Sequence, residues 1–321
     1  MSINVKIDRT SVHSDSKLCY GCEEFGRLTR VMLHRPGKAF ELINSENHEQ
    51  WLFDRVPDIE QFAEEHDRYR ELLVSLGVEV FELSDYVNGN RALIDRMPNL
   101  IYLHDIAVIS RRGAILSTMA WDARRDEQVV VREALTNLDI PIFLQFDDPN
   151  DAFEGCLLLS PETVLVAETE RHSRSSIVKF SREALTFFDE VIFVDIPKAR
   201  RYMHPDTIYN RVSHNLAIAY LPAFKSTYSV TSSGIQKIDF AEHMRSKGVE
   251  IINVSDSEQQ RLACTFVPLE PGVMLHYDTA LDLETQRLLS RKGVELILFH
   301  PDAMTAGGGS LRCITLRLHR Q

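Results

Sequence analysis

The sequence predicts an α/β fold in which five hairpin–helix–strand units close into a ring. Three observations predict it. The same order of turns and periodicities recurs about every 50 residues, a period that marks radial or solenoid arrays. Each round carries both a tight hairpin and a helix, where an ordinary open α/β sheet, the alternative, needs only the helix. The last strand signal has no helix after it, so it is available to complete the first round and remove free sheet edges.

The elements follow in order. A strand is expected around Arg30 to His34. Val56-Pro57-Asp58 then suits a helix start. Ile59, Phe62, His66, Tyr69, Leu73 and Leu76 recur at three- and four-residue steps, which is one face of a helix. Gly77 ends that helix and a strand runs from Val78 to Leu83. The second unit reads as a strand from Leu103 to Ser110, a turn at Arg111-Arg112-Gly113, a strand from Ala114 to Thr118, a helix from Trp121 to Leu138 and a strand from Ile140 to Phe146. The third has Cys156 to Leu159, a turn at Ser160-Pro161-Glu162, Val164 to Ala167, a helix from Ser173 to Phe188, and Val191 to Val194. The fourth has Thr207 to Val212, Leu216 to Leu221, a helix from Ile238 to Ser246, and Val249 to Val254. The fifth has Cys264 to Leu269, Val273 to Tyr277, a helix from Leu283 to Arg291, and Val294 to Phe299. The closing strand is expected from Arg312 to Leu318. No linker or low-complexity stretch interrupts the chain, so residues 1–321 are read as one domain, with an irregular extension over about the first 25.

The bulk composition fits a globular enzyme. Hydrophobic residues make up 44% and charged residues 26%, enough apolar material for a core. A formal net charge of −11 disfavours nucleic acid and anionic membrane as partners and favours a small cation. A homo-oligomer is compatible with the sequence. The opening MSINVKIDRT lacks the apolar core of a secretory signal. Five scattered cysteines read as reduced thiols of the cytoplasm.

Reactive residues fall at corresponding points of the repeat. Asp105 opens the second hairpin, Glu154 precedes the third, and His204 and Asp206 precede the fourth. Cys313 follows Gly307-Gly308-Gly309 at the start of the closing strand. Taken singly, the Cys reads as a small buried hydrophobe and the Asp residues as turn formers. In a ring of equivalent units, equivalent positions converge on the axis, and these five side chains then share one cavity. Cys19-Tyr20-Gly21-Cys22 lacks a second ligand pair at zinc spacing, since His13 and His34 are badly placed, and reads as ordinary thiols. His66 and His243 are expected at the surface or in an interface.

The chain resembles the arginine deiminases of the guanidine-modifying (amidinotransferase/deiminase, pentein) superfamily. The matching segments run in order along nearly the whole chain: RVMLHRPG from Arg30, Leu52 to Leu83, MPNLIYLHD from Met97, FEGC from Phe153, ETERHS from Glu168, MHPDT from Met203 and GGGSLRC from Gly307. The resemblance implies a five-bladed α/β propeller. It implies Cys313 as nucleophile, His204 as general acid and base, and Glu154 as the group that orients and activates. Asp105 and Asp206 match the two aspartates that grip the guanidinium. Asn99, Arg124 and Arg171 match the residues that hold an amino acid's carboxylate. No metal and no cofactor are implied.

The chain also departs from the family pattern. His104-Asp105 stands where Arg-Asp is common, and Glu154-Gly155-Cys156-Leu157 where Glu-Gly-Gly-Asp is common. Gly308 stands where some members carry another carboxylate-binding arginine, with Arg312 nearby. The helical bundle inserted in many bacterial members is absent, because only about a dozen residues separate Tyr86 from Asn99.

The chemistry needs these residue types. A guanidinium is planar, cationic and a poor electrophile, so it requires counter-charges and a thiolate aimed at its carbon. The expected reaction is hydrolysis of L-arginine to citrulline and ammonia through a covalent thiouronium. Two alternatives stand beside it: an amidinotransferase that passes the group to an amine, which Glu at 154 disfavours, and a non-catalytic binding protein on the same ring.

Overall fold

The computed structural model describes residues 18–22, 25–146, 148 and 150–321, and among these the strands fall into five sheets. The second to fifth sheets share one plan, in which an antiparallel hairpin hands its inner strand to a parallel partner across a helix. Ala107–Ser110 pairs with Gly113–Leu116, which runs parallel to Ile142–Gln145. Leu157–Leu158, Thr163–Glu168 and Glu190–Asp195 repeat the plan. So do Tyr209–Arg211, Leu216–Ala219 and Glu250–Asn253, and then Val267–Glu270, Val273–Tyr277 and Glu295–Phe299. A parallel pair needs a long crossover, and a helix supplies each one.

The first sheet is completed from the far end of the described chain. Leu28–Leu33 lies parallel to Glu79–Glu82 on one side and antiparallel to Leu316–Arg320 on the other. Leu316–Arg320 thus takes the place of the missing hairpin strand. The apolar clusters follow the ring, each lying between neighbouring units. Val31, Leu73 and Phe62 of the first unit meet Leu275 and Phe299 of the fifth. Met32 and Leu83 meet Ile109, Leu116 and the closing Leu318. Val108 and Ile115 meet Val164 and Phe180. The third, fourth and fifth units share the remaining cluster through Ile192, Ile218 and Phe266.

Local chemistry sets the helix ends. The helix Ile59–Ser75 starts at Asp58, whose carboxylate accepts from Gln61 N–H at 3.0 Å, and Ser173 caps Arg174–Ala184 through Ser176 N–H. Gly77, at φ 81°, ends the first helix in the left-handed region that glycine enters without strain.

Several sequence expectations are corrected. Leu103–Ile106 is a helical turn and only Ala107–Ser110 is strand. The stretch 121–138 is a 3-10 turn at Asp122–Arg124 followed by the helix Glu127–Asn137. Leu311–Ile314 is likewise a helical turn, with strand only from Leu316. A hairpin over Ser226–Thr231 and Gly234–Ile238 extends the third sheet to five strands, and a short helix over Asp256–Gln260 stands between the fourth and fifth units; neither has a counterpart in the sequence reading. His66 is fully buried on the core face of its helix rather than at the surface, and His243 is half-buried against Glu190. Most of the expected N-terminal extension, with His13, lies outside the described residues; Gly21 bridges to the closing strand at His319. No described helix is long and apolar enough to cross a membrane.

Candidate active site

The glycine run leads directly to the nucleophile candidate. Ser310 caps the turn Leu311–Ile314, accepting from Cys313 N–H through an Oγ that also lies 3.3 Å from the Cys313 sulfur. Cys313 is therefore presented by a helical turn and opens into a cavity of about 550 Å³. Burial, with Asp105 and Asp206 adding negative charge, pushes its thiol pKa up to about 12, against the opposing hydrogen bonds from Ser310.

His204 and Asp105 line the same cavity. His204 Nε2 lies 2.8 Å from Glu154 Oε2, and its Nδ1 lies 3.6 Å from Asp105 Oδ1. Burial works against the charged imidazolium, but these two carboxylates outweigh it and raise the His204 pKa. Glu154 is buried behind the histidine. Burial opposes its ionisation, yet Arg171 and His204 draw its pKa well below the usual carboxylate range. Its other oxygen accepts from Ala120 N–H at 2.9 Å, which fixes the carboxylate plane. Asp105 and His204 therefore face the cavity that holds the thiol, while Glu154, which lines only the small void behind the histidine, reaches that cavity through its contact with His204. This arrangement suits proton transfer to and from a group attacked by sulfur.

The other expected residues divide. Asn99 lines the cavity and donates through Nδ2 to the carbonyl of Trp51 at 2.7 Å. Arg124 is buried and already committed to carboxylates, with Nη1 2.7 Å from Asp105 Oδ2 and Nε 2.9 Å from Glu127 Oε2. Arg171 is also buried, 3.3 Å from Glu154 Oε2, with its guanidinium over the Trp121 ring. Asp206 lies apart from the main cavity. It faces a small void behind His204, where Arg312 Nε donates to its Oδ2 at 3.0 Å and its Oδ1 has no partner. Arg312 is thus held by Asp206, away from the cavity wall. Gly308, at φ 71°, leaves room for Asp54 and Arg200, which pair at 3.0 Å at the cavity edge.

Sequence reasoning misses four contributors. Glu127, fully buried, braces Arg124. Ser310, Tyr102 and Tyr277 all stand close to Cys313, since Ser310 touches its sulfur and both phenols line the cavity it opens into. Two signals were available in the sequence: Glu127 lies three residues after Arg124, and Ser310 three before Cys313, which is the spacing of an N-cap.

Comparison with known proteins gives a consistent result. A family model described as arginine deiminase matches residues 85–320. Arginine deiminase 1 of Staphylococcus epidermidis is 23% identical over 401 residues, covering 93% of this chain and 97% of that protein. The arginine deiminase of Mycoplasma capricolum is 23% identical over 391 residues, covering 93% and 96%. Among solved structures, the N-terminal domain of ArgZ bound to product, an arginine dihydrolase from cyanobacteria, superposes with a TM-score of 0.68 at 14% identity over 91% of this chain and 97% of that one. AgrE in complex with ornithine and NAD+ superposes with a TM-score of 0.68 at 15% identity, and this chain spans 39% of its length. Dimethylarginine dimethylaminohydrolase gives 0.65 at 13% identity, over 90% and 99%. At these identities the structural matches speak to the fold alone.

Proposed function

The chain belongs to the arginine deiminase family, and from that premise we propose that it hydrolyses the guanidinium of L-arginine, giving citrulline and ammonia, with Cys313 as nucleophile. The observation that carries this reading is that His204 and Asp105 line the cavity that holds the Cys313 thiol, with Glu154 backing the histidine at 2.8 Å.

The geometry supports the following course. The substrate cation enters beside Asp105, and its positive charge offsets the carboxylates that hold the thiol up. The thiol proton passes to solvent water in the open cavity and the sulfur attacks the guanidinium carbon, forming a C–S bond and a tetrahedral centre. His204, whose charged form Asp105 and Glu154 favour, gives its proton to the departing nitrogen, and the C–N bond breaks to release ammonia. The amidino group now rides on sulfur as a thiouronium. Neutral His204 next takes one proton from a water as the water oxygen bonds to carbon; the C–S bond then breaks, and the remaining hydroxyl proton passes to the departing sulfur, which restores the thiol and releases the neutral ureido product. Asp206 acts in this scheme through the electrostatic field and through Arg312, since it stands behind the histidine. Asn99 and Arg171 are assigned to the substrate's carboxylate end. Arg124 is assigned to fixing Asp105.

The test is incubation with a panel of guanidino compounds, measuring ammonia and ureido product together. Equal amounts of both from L-arginine support the reading. No product from any member of the panel rejects it.

A further inference from the structure

Two tyrosines in the cavity have no assignment in the scheme above. Tyr102 and Tyr277 are 4% and 3% exposed, both line the cavity that Cys313 opens into, and neither hydroxyl has a hydrogen-bond partner among the described residues. A buried hydroxyl without a partner is costly, and phenylalanine would fill the same space without that cost. Tyr102 is also built into the nucleophile loop. A Cβ added at Gly307 would sit 1.9 Å from the Tyr102 hydroxyl, and one at Gly309 would sit 2.3 Å from its ring. The glycines at 307 and 309 therefore let the phenol lie directly on the backbone that leads to Cys313. Burial, and then Cys313 and Asp105 beside it, raise the Tyr102 pKa; burial, Tyr102 and Cys313 do the same to Tyr277. Both rings stay un-ionised.

A substituted guanidinium brings five N–H donors and no acceptor. The carboxylate that lines the cavity beside Cys313 is Asp105, and its Oδ2 is already given to Arg124 at 2.7 Å. Asp206 is turned to Arg312 in the separate void. Donors are thus left over, and the two tyrosines that line the same cavity carry buried phenol oxygens still unused. We propose that Tyr102 and Tyr277 form a neutral acceptor wall of the guanidino pocket, each oxygen taking a guanidinium N–H that the carboxylates leave unpaired. The aromatic faces add attraction for the same cation. This inference rests on the proposed guanidino-directed function.

The experiment uses the Cys313→Ala protein, which binds without turnover, and adds Tyr102→Phe or Tyr277→Phe. Calorimetry measures the binding of L-arginine and of its amidine analogue, in which one terminal NH2 is replaced by CH3. Each Phe change is expected to weaken L-arginine about tenfold, the scale of one hydrogen bond to a charged group, with the thermal midpoint unchanged or higher. At least one of the two is expected to lose that effect on the amidine, which lacks the N–H in question. Unchanged L-arginine affinity, or equal weakening of both ligands by both variants, overturns the acceptor wall. If Tyr102→Phe proves unstable, the Tyr277 arm decides. Failure of the parent reading looks different: the wild type then releases no ammonia, and the Cys313→Ala protein binds none of the guanidino compounds.

Discussion

Glu154 Oε2 lies 2.8 Å from His204 Nε2, and the same oxygen lies 3.3 Å from Arg171 Nη1, so one buried carboxylate atom links the proposed proton-transfer group to a buried cation. Replacing Glu154 with Gln keeps the shape and removes the charge that holds the imidazolium. We expect turnover to fall on the order of a hundredfold, the usual worth of a positioned acid–base group, with a much smaller change in KM. Residual product should still be ammonia and citrulline in equal amounts, with no rate gain from added glycine, lysine or ornithine. Transfer of the amidino group to an added amine, with little ammonia before that amine is present, would instead mark a transferase.

Cys313→Ala should abolish ammonia release and leave the fold intact, because the half-buried sulfur is replaced by a smaller apolar group. Cys19→Ser, at an exposed position, should leave activity within error of the wild type. Circular dichroism and an ammonia assay read both outcomes, and persistent turnover in the alanine protein defeats the mechanism.

Arg171→Ala separates two roles for that guanidinium. If Arg171 holds a carboxylate, L-arginine should lose about 1.5–3 kcal/mol of transition-state binding, while agmatine, which has no carboxylate, loses little. If it serves only Glu154, kcat/KM should fall equally for both. The ratio of the two losses is the measurement.

The raised thiol pKa makes a prediction about alkylation. With the Cys313 pKa pushed up to about 12, the thiolate fraction in the free protein is small at pH 7 and rises about tenfold per pH unit. Iodoacetamide should therefore react slowly at pH 7 to 8 and faster as pH increases. Millimolar guanidinium ion, seated by Asp105, should accelerate the reaction at fixed pH. A free protein already at its maximal alkylation rate below pH 7 contradicts this account.

His66 gives a stability prediction. Burial lowers its pKa from 6.5 to about 4, and neither ring nitrogen has a hydrogen-bond partner. A histidine depressed in the folded state contributes stability that is complete above about pH 6.5 and is lost as pH falls toward 4. The full swing is on the order of 3 kcal/mol. His66→Gln should flatten the urea midpoint between pH 6.5 and 4 relative to the wild type. An unchanged slope shows that His66 does not titrate in that window.

The fold is legible where two independent signals coincide. Asp58 at a cap position and apolar residues at helical spacing mark the first long helix, and the result matches to within a residue. Four-residue turns are different. Leu103–Ile106 and Leu311–Ile314 are too short to display a helical period, so their apolar residues read as the start of the strands that follow. The hairpin at 226–238 escapes because its Ser- and Thr-rich strands, one of them largely exposed, resemble a loop. In the site, position within the repeat singles out Cys313, His204, Glu154 and Asp105. What it does not show is which charges are already satisfied. Asp105 meets Arg124 across 19 residues and Asp206 meets Arg312 across 106, and pairs so distant leave no spacing signature.

The ring closes where Leu316–Arg320 joins Leu28–Leu33, and the turn that carries Cys313 sits immediately before that closing strand. Thr29 and His319, bonded across this seam, are 290 positions apart. Drawing such distant segments together is a slow, long-range event that depends on the intermediate units being in place. Glu154, His204 and Asp105 are emplaced by the second to fourth units, but the sulfur reaches them only when the seam forms. Under the proposed mechanism this couples reactivity to assembly, since a chain with an open seam has the proposed acid–base groups without the aligned thiol. Appearance of activity during refolding should accordingly lag behind the recovery of helix, as expected if the seam must close before the Cys313 turn is set beside its partners.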